Sequence, residues 1–244
     1  VHQMNRLDVV TNNMANSDTT AYKKEGSTSQ SFDSVYGIKI NDSSVNYIHQ
    51  NIGRMSLGVK VGETYTDYGD GNLEETEQLY DMALSGKGFF AISYADRNGN
   101  ESVRYTRDGN FTVNSQGVLM TKDGDFVLAE DGGLINIPEG VKISVDESGR
   151  ITADGQEIAQ LQLVDFEDYN YLKKFGENMY IAIDGATTKD AQCKVYQGYL
   201  EASNVNVVTE MVDMITITRD YESNQKVIQT IDSTLEKSVA LGRV

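Results

Sequence analysis

Residues 205–240 read VNVVTEMVDMITITRDYESNQKVIQTIDSTLEKSVA, and the spacing of their apolar side chains decides the predicted fold class. Apolar residues recur in this stretch at intervals of seven, and neither Pro nor Gly interrupts it. The pattern predicts one amphipathic helix. At about 1.5 Å per residue such a helix is about 50 Å long, whereas helices of globular domains average about a dozen residues. We therefore expect it to pack against neighbours beyond its own domain. Its apolar side, called the stripe below, consists of Val207, Met211, Met214, Tyr221, Ile228, Ile231 and Leu235.

The N-terminus carries a second apolar pattern at helical spacing, which stops at the turn-rich run 16–20. The chain starts at Val1 without a clear capping residue, so we expect this helix to be cut short at its front. Chain termini fray unless something ties them down. We therefore predict an α+β protein in which residues 1–16 and 205–244 form one coiled-coil module. The apolar side of the N-terminal helix consists of Met4, Leu7, Val10 or Thr11, and Met14.

Between the predicted helices the pattern changes to alternation. Val141, Ile143 and Val145 alternate with polar residues, as in a half-buried strand. Asp-Gly pairs and regularly spaced glycines are typical of tight turns between short antiparallel strands. We predict a central antiparallel β-domain over residues 57–204, preceded by an extended connector with few strands over residues 17–56. The glycines predicted to form structural turns are Gly86, Gly88, Gly109 and Gly198.

Composition excludes several classes of function. The net charge is −16 and the isoelectric point about 4.5, which argues against binding to a phosphate backbone. The single cysteine, Cys193, excludes an internal disulfide and is predicted to be a small buried residue, since only His2 and His49 could assist it in chemistry. No apolar run reaches the roughly 18 residues of a membrane span, so we predict no membrane insertion.

Three stretches resemble chemical sites only superficially. Gly86-Lys87-Gly88 leads into the apolar run 89–92, whereas a dinucleotide loop opens a helix. The loop 96–101 places its glycine in the wrong position for an EF-hand. Asp165, Glu167 and Asp168 could form a glycosidase-like carboxylate pair. We predict no catalytic, cofactor-binding or metal site and no enzyme, while a secreted acidic β-domain that binds or hydrolyses carbohydrate remains the alternative.

Four motifs in register span nearly the whole chain. They are NNMANSDTTAYKK (12–24), GNLEET (71–76) leading into DMALSGKGFF (81–90), YTRDGNF (105–111) and QGYLEASNVNV (197–207). These motifs resemble the flagellar axial proteins of rod and hook, most closely the basal-body rod proteins of the FlgF/FlgG type. Ala21 stands where that family usually has Gly, and Tyr22 where it usually has Phe.

This resemblance implies a structural subunit of the bacterial flagellar rod. Such subunits assemble helically into the axial drive shaft that transmits torque from motor to hook, and they lie in the basal body after passing the flagellar export apparatus. The implied partners are copies of the chain and other rod and hook proteins, contacted through the terminal helices. A hook or hook-associated axial protein is the related alternative. The predicted assembly residues are Met4, Leu7, Asn12, Asn13, Met14, Asn16 and the seven residues of the stripe.

Overall fold

The computed structural model describes residues 2–39, 50–56, 58–96, 99–138 and 140–241. In these ranges lie two α-helices, α1 (His2–Ala15) and α2 (Val207–Leu241), and one short 3-10 helix (Tyr169–Tyr171). The strands are β1 (Glu25–Ser31), β2 (Val35–Lys39), β3 (Gln50–Met55), β4 (Val59–Thr66), β5 (Leu73–Glu75), β6 (Met82–Lys87), β7 (Phe89–Ala95), β8 (Glu101–Thr106), β9 (Phe111–Val113), β10 (Leu119–Thr121), β11 (Phe126–Val127), β12 (Ile143–Val145), β13 (Arg150–Ala153), β14 (Gln156–Gln160), β15 (Leu163–Phe166), β16 (Leu172–Phe175), β17 (Met179–Ala182), β18 (Thr188–Asp190), β19 (Gln192–Gln197) and β20 (Tyr199–Glu201).

The predicted α+β class with a coiled-coil module of the two terminal helices is wrong. Across the described ranges the chain is built mainly of short strands, and α1 has 14 residues against 35 in α2. A helix of about two heptads cannot cover a stripe of five. Most of the stripe remains exposed, including Tyr221, Ile228 and Leu235. The heptad spacing therefore correctly indicates an apolar side on α2, but it does not identify the surface that covers this side.

The chain divides into two compact units. Unit 1 comprises residues 1–14, 25–67 and 206–244, and unit 2 comprises residues 15–24 and 68–205. Residues 15–24 thus belong to unit 2 although the segments on both sides of them belong to unit 1.

Unit 1 contains α2, most of α1 and two antiparallel two-stranded sheets. β1 pairs with β4 and β2 pairs with β3. Strands β1, β2 and β3 fall in the stretch predicted to be an extended connector with few strands, whereas β4 falls in the predicted β-domain. Residues 40–49 of that stretch lie outside the described ranges. The buried Asn13 joins three elements of the unit: its Nδ2 donates to the Glu25 carbonyl at 2.8 Å and to Glu210 Oε2 at 3.2 Å, and its Oδ1 accepts from the Glu25 amide at 2.9 Å.

Unit 2 is built around a nine-stranded sheet with β7 near its centre. All strand pairs found in the described parts of this sheet are antiparallel. Successive side chains of a strand point to opposite faces, so Phe90 and Ile92 join one apolar cluster and Phe89 joins another. Both faces of β7 are therefore covered. Three smaller sheets complete the unit: β12-β13-β14, β19-β6 and β20-β5.

Candidate assembly surface and the buried ion-pair network

Helix α2 begins at a capped N-terminus. The Asn206 side chain Oδ1 accepts a hydrogen bond from the Thr209 amide at 3.1 Å, and the Asn206 carbonyl accepts from the Glu210 amide at 3.0 Å. A side chain in this position satisfies one of the amides that a helix start leaves without an internal partner. The cap therefore fixes where the helix starts.

The first three turns of α2 are partly buried, and Asn13 of α1 contacts Glu210 there. Glu210 and Ile217 are buried and Met214 is half-buried. From Thr218 to Leu241 every residue of the helix is exposed. Within that part, Tyr221 is 45 % exposed, Ile228 59 % and Leu235 58 %. Contiguous apolar patches of this kind on a soluble protein usually mark an interaction surface.

The other predicted assembly residues lie in different environments. Asn13 is buried and its side chain bonds within unit 1. Asn16 is half-buried and its Oδ1 accepts from the Thr19 hydroxyl at 3.2 Å, closing the turn after α1. Their part in assembly stays a prediction, as does that of the remaining residues. Met4, Asn12, Val207, Met211 and Ile231 are exposed, and Leu7 and Met14 are half-buried.

A network of buried charges lies inside unit 2. The side chains of Lys23 and Glu201 are both fully buried, with 2.5 Å between Lys23 Nζ and Glu201 Oε1. Lys23 Nζ also donates to the Gly69 carbonyl at 2.7 Å, and the Gly71 amide donates to Glu201 Oε1 at 2.8 Å. Buried charges are tolerated when they are paired and hydrogen-bonded in this way. The network therefore fixes residue 23 beside the last strand of the unit.

Arg107 is the second cation of this network. Its Nη1 donates to Asp70 Oδ1 at 2.8 Å and lies 3.4 Å from Glu201 Oε1. Its Nε donates to the Gly88 carbonyl at 3.0 Å, and its Nη2 donates to the Gly86 carbonyl. Two cations thus share one fully buried carboxylate, and the half-exposed Asp70 supplies the second negative charge.

The electrostatics of the network follow from burial. Burial lowers the pKa of the Lys23 ammonium, and the attraction of Glu201, which raises this pKa, only partly offsets the effect. Nearby, burial raises the pKa of Asp108 although Thr20 Oγ1 donates to its carboxylate at 3.0 Å. Loss of Glu201 would leave two cations without their shared acceptor.

The predicted turn glycines are placed around the same network. Gly86 and Gly198 have left-handed φ values of 104° and 79°. A Cβ on Gly88 would lie 2.9 Å from the Cys193 sulfur, and one on Gly109 would lie 1.5 Å from the Met82 carbonyl oxygen. These positions therefore restrict side-chain size by backbone conformation or by close approach.

The network brings together the motifs that carry the family resemblance. The Ala21 amide donates to the Glu201 carbonyl at 2.7 Å, and the Lys24 amide donates to Asn204 Oδ1 at 2.7 Å. Motifs 12–24, 71–76, 105–111 and 197–207 each supply part of it. Inference from the sequence missed this junction, because no local pattern pairs Lys23 with a residue 178 positions away. The sequence did contain one indication of the junction: Lys23, Arg107 and Glu201 are charged residues inside motifs that are otherwise turn-like or apolar.

The stretches that resembled chemical sites have other environments. The buried Asp165 accepts from the Tyr169 hydroxyl at 2.7 Å and lies 3.0 Å from Lys189 Nζ. Burial alone would raise the pKa of Asp165, but these hydrogen bonds lower it overall. Asp168 caps the 3-10 helix by accepting from the Asn170 amide. Residues 97 and 98 of the 96–101 loop, and His49, lie outside the described ranges. Cys193 is half-buried, and burial raises the pKa of its thiol.

The described residues offer neither a cluster suited to a metal ion nor a helix suited to crossing a membrane. They contain no group of three or more His, Cys, Asp or Glu residues placed to hold a metal ion. Neither α1 nor α2, as far as each is described, combines the length and apolar character that crossing a membrane requires.

Three family models match the chain. Residues 2–23 match the model described as flagella basal body rod protein, residues 83–153 match the flagellar hook protein FlgE/F/G D1 domain, and residues 196–241 match the flagellar basal body rod FlgEFG protein C-terminal model. The first and third of these matches include the segments that supply Lys23 and Glu201.

Curated relatives match over nearly the full length. The chain is 32 % identical to the flagellar basal-body rod protein FlgG of Buchnera aphidicola subsp. Schizaphis graminum, with 96 % of this chain and 93 % of the relative covered. It is 34 % identical to FlgG of Agrobacterium fabrum, with 94 % and 91 % covered, and 34 % identical to the rod protein FlgF of Caulobacter vibrioides, with 95 % and 88 % covered. The chain therefore belongs to the flagellar basal-body rod proteins, the structural subunits of the rod in the bacterial flagellar basal body.

Proposed function

We propose that the subunit is built into the rod through the terminal helices, and above all through the stripe of α2. The observation that carries this proposal is the exposure of every residue from 218 to 241 together with the apolar character of one side of that segment. Burying one large apolar side chain contributes roughly 1.5–3 kcal/mol. Several such residues on one helix favour association with neighbouring helices.

The partners in this proposal are copies of the chain and other rod and hook proteins. Contacts between different surfaces of identical subunits do not close and generate helical assemblies. A tube of laterally packed helices resists twisting, which suits a shaft that transmits torque from motor to hook. Passage through the flagellar export apparatus is part of the same proposal and rests on family membership.

The carbohydrate alternative gains no support from Asp165. Its carboxylate is buried and engaged by Tyr169 and Lys189. A general acid or base needs access to its substrate. We therefore propose a structural role without catalysis.

The test replaces an exposed residue of the stripe. Ile228→Glu places a charge on the side that becomes buried on assembly, at a cost of several kcal/mol. We expect this variant to be absent from isolated basal bodies and to fail to restore motility in a host that lacks the wild-type gene. Thr234→Glu, an exposed position off the stripe, is the matched control and is expected to assemble. Normal assembly of Ile228→Glu would overturn the proposal, provided that thermal melting shows both variants to be folded.

A further inference from the structure

Helix α2 carries a second exposed apolar face, which is separate from the stripe. Val208 is 71 % exposed, Val212 57 % and Ile215 53 %. Residues of an α-helix are about 100° apart around its axis, so these three lie about 100–160° from Met214. The buried Glu210 and Ile217 lie on the stripe side. The second face, Val208, Val212 and Ile215, therefore lies on the opposite side of the helix from the buried Glu210 and Ile217.

Basic residues continue the second face along the helix. Arg219, Lys226 and Lys237 are all the lysines and arginines of α2 between residues 207 and 241. Together with Val208, Val212 and Ile215 they fall within an arc of about 60°.

The exposed acidic residues of α2 lie mainly on the stripe side instead. With Met214 taken as 0°, Asp213 and Asp220 lie at about −100° and −120°, Asp232 at about 0° and Glu236 at about 40°. Glu222, at about 80°, lies at the edge of the second face that is nearer the stripe. The helix thus carries all its basic residues on the second face and most of its exposed acidic residues on the stripe side.

We propose that the second face of one copy receives the stripe of a second copy, an inference that rests on the proposed role of the stripe in assembly. The two surfaces match in both respects, apolar against apolar and basic against acidic. The contact joins different faces of identical helices, and every copy carries both faces. Such an interface does not close on itself, so each helix packs between two neighbours.

The spacing of the side chains defines a register for two parallel helices. A displacement of thirteen residues, about 20 Å along the axis, places Ile228 of the second copy beside Ile215 of the first. The same displacement places Asp232 of the second copy beside Arg219 of the first. Residues of α2 that lie far apart in one copy therefore meet between copies.

The first experiment compares substitutions on the two faces in the full chain. Val212→Glu is expected to lower incorporation into isolated basal bodies at least tenfold, while Thr216→Glu, an exposed neighbour off both faces, is expected to assemble. If Ile228→Glu is excluded but Val212→Glu incorporates like the Thr216→Glu control, this inference is wrong and the proposed function stands. If Ile228→Glu itself incorporates normally, the proposed function fails.

The second experiment tests the charge pair directly. Arg219→Glu is expected to reduce incorporation, and Asp232→Arg in the same chain is expected to restore it, since every copy then presents the reversed pair. Failure of the double variant to exceed Arg219→Glu would contradict the thirteen-residue register.

A third measurement is independent of charge. Two variants, Ile215→Cys and Ile228→Cys, are co-expressed on a Cys193→Ala background and oxidised in isolated basal bodies. We expect cross-linked dimers that contain one copy of each variant. Monomers alone, from basal bodies that contain both variants, would overturn the proposed contact.

Discussion

Gly109 is a position where lack of space alone, without a left-handed backbone, excludes any side chain. Its φ is not left-handed, yet a Cβ there would collide with the Met82 carbonyl oxygen, which belongs to backbone and cannot rotate away. The Met82 amide also donates to the Gly109 carbonyl at 3.0 Å, so the two backbones are held together.

Gly109→Ala is therefore expected to destabilise the protein by about 3 kcal/mol through overpacking. Gly155→Ala is the comparison, because φ is 82° there but nothing lies within 4 Å of the added carbon. It should cost only the strain of a left-handed alanine, about 1–2 kcal/mol. Denaturant unfolding of the full chain measures both, and a Gly109→Ala loss no larger than that of Gly155→Ala would refute the argument.

The buried charges predict an asymmetry between two substitutions. Glu201→Gln removes the buried negative charge shared by Lys23 and Arg107, and breaking a buried ion pair in this way typically costs about 3–5 kcal/mol. Lys23→Met leaves Glu201 with Arg107 and the Gly71 amide, so a smaller loss of roughly 1–3 kcal/mol is expected. Thermal and urea unfolding would show the difference. Equal losses for the two variants would mean that Glu201 is not the hub of the network.

For single residues, the sequence could predict which positions are restricted to glycine, but not which residues contact one another across the fold. The restricted space at Gly86, Gly88 and Gly109 lies where turn glycines were predicted. Nothing local indicated that the Gly86 and Gly88 carbonyls accept from Arg107, or that Lys23 pairs with Glu201. Long-range pairs of this kind depend on the path of the whole chain through unit 2.

Among the elements, α2 shows what the spacing of apolar residues can predict and what it cannot. The pattern predicted a helix over about 205–240, and the structure has Val207–Leu241. The coiled-coil partner within the chain was wrong, since α1 is too short to cover the stripe. Strands with clear alternation were readable from the sequence, for example β12, and the Asp154-Gly155 turn lies between β13 and β14. The strands β1, β2 and β3 were not located by the prediction, which gave residues 17–56 as an extended connector with few strands, because that stretch is polar and rich in Ser, Asn and Gly.

The exposure of the residues of α2 predicts how fast their backbone amides exchange hydrogen with solvent. Helices held by little tertiary packing are marginal and open readily. Amides of residues 218–241 in the dilute monomer are expected to exchange orders of magnitude faster than those of β7, whose residues 89–92 are buried. Assembly into rods should slow exchange in the same segment. Uniformly strong protection of residues 218–241 in the monomer would contradict this expectation.

For the molecule as a whole, the shifted pKa of the buried Asp165 makes the free energy of unfolding depend on pH. The folded state lowers the pKa of Asp165 below its usual value of 3.8, since hydrogen bonds from Tyr169 and Lys189 outweigh the effect of burial. A carboxyl group with a lowered pKa stabilises the fold fully above the unfolded pKa and loses this contribution as pH falls through the folded one.

The free energy of unfolding of the wild type minus that of Asp165→Asn is therefore expected to shrink as pH falls below about 4. Taking this difference removes the opposite effect of Asp108, whose raised pKa favours the folded state at low pH. Urea unfolding between pH 2.5 and 7 measures it. A difference independent of pH would show that Asp165 gains nothing from its hydrogen bonds.

The pairing of Lys23 with Glu201 also has a consequence for the order of events in folding. The two residues are 178 positions apart, so a very long loop must close before they meet. Pairings of this kind form slowly, because the entropy of closure is lost before the contact stabilises the fold. In a chain that stops short of β20, unit 2 lacks its last strand, and Lys23 and Arg107 lack the carboxylate that they share. Closure of unit 2 therefore requires that the chain extends at least as far as β20, whatever has already formed before it.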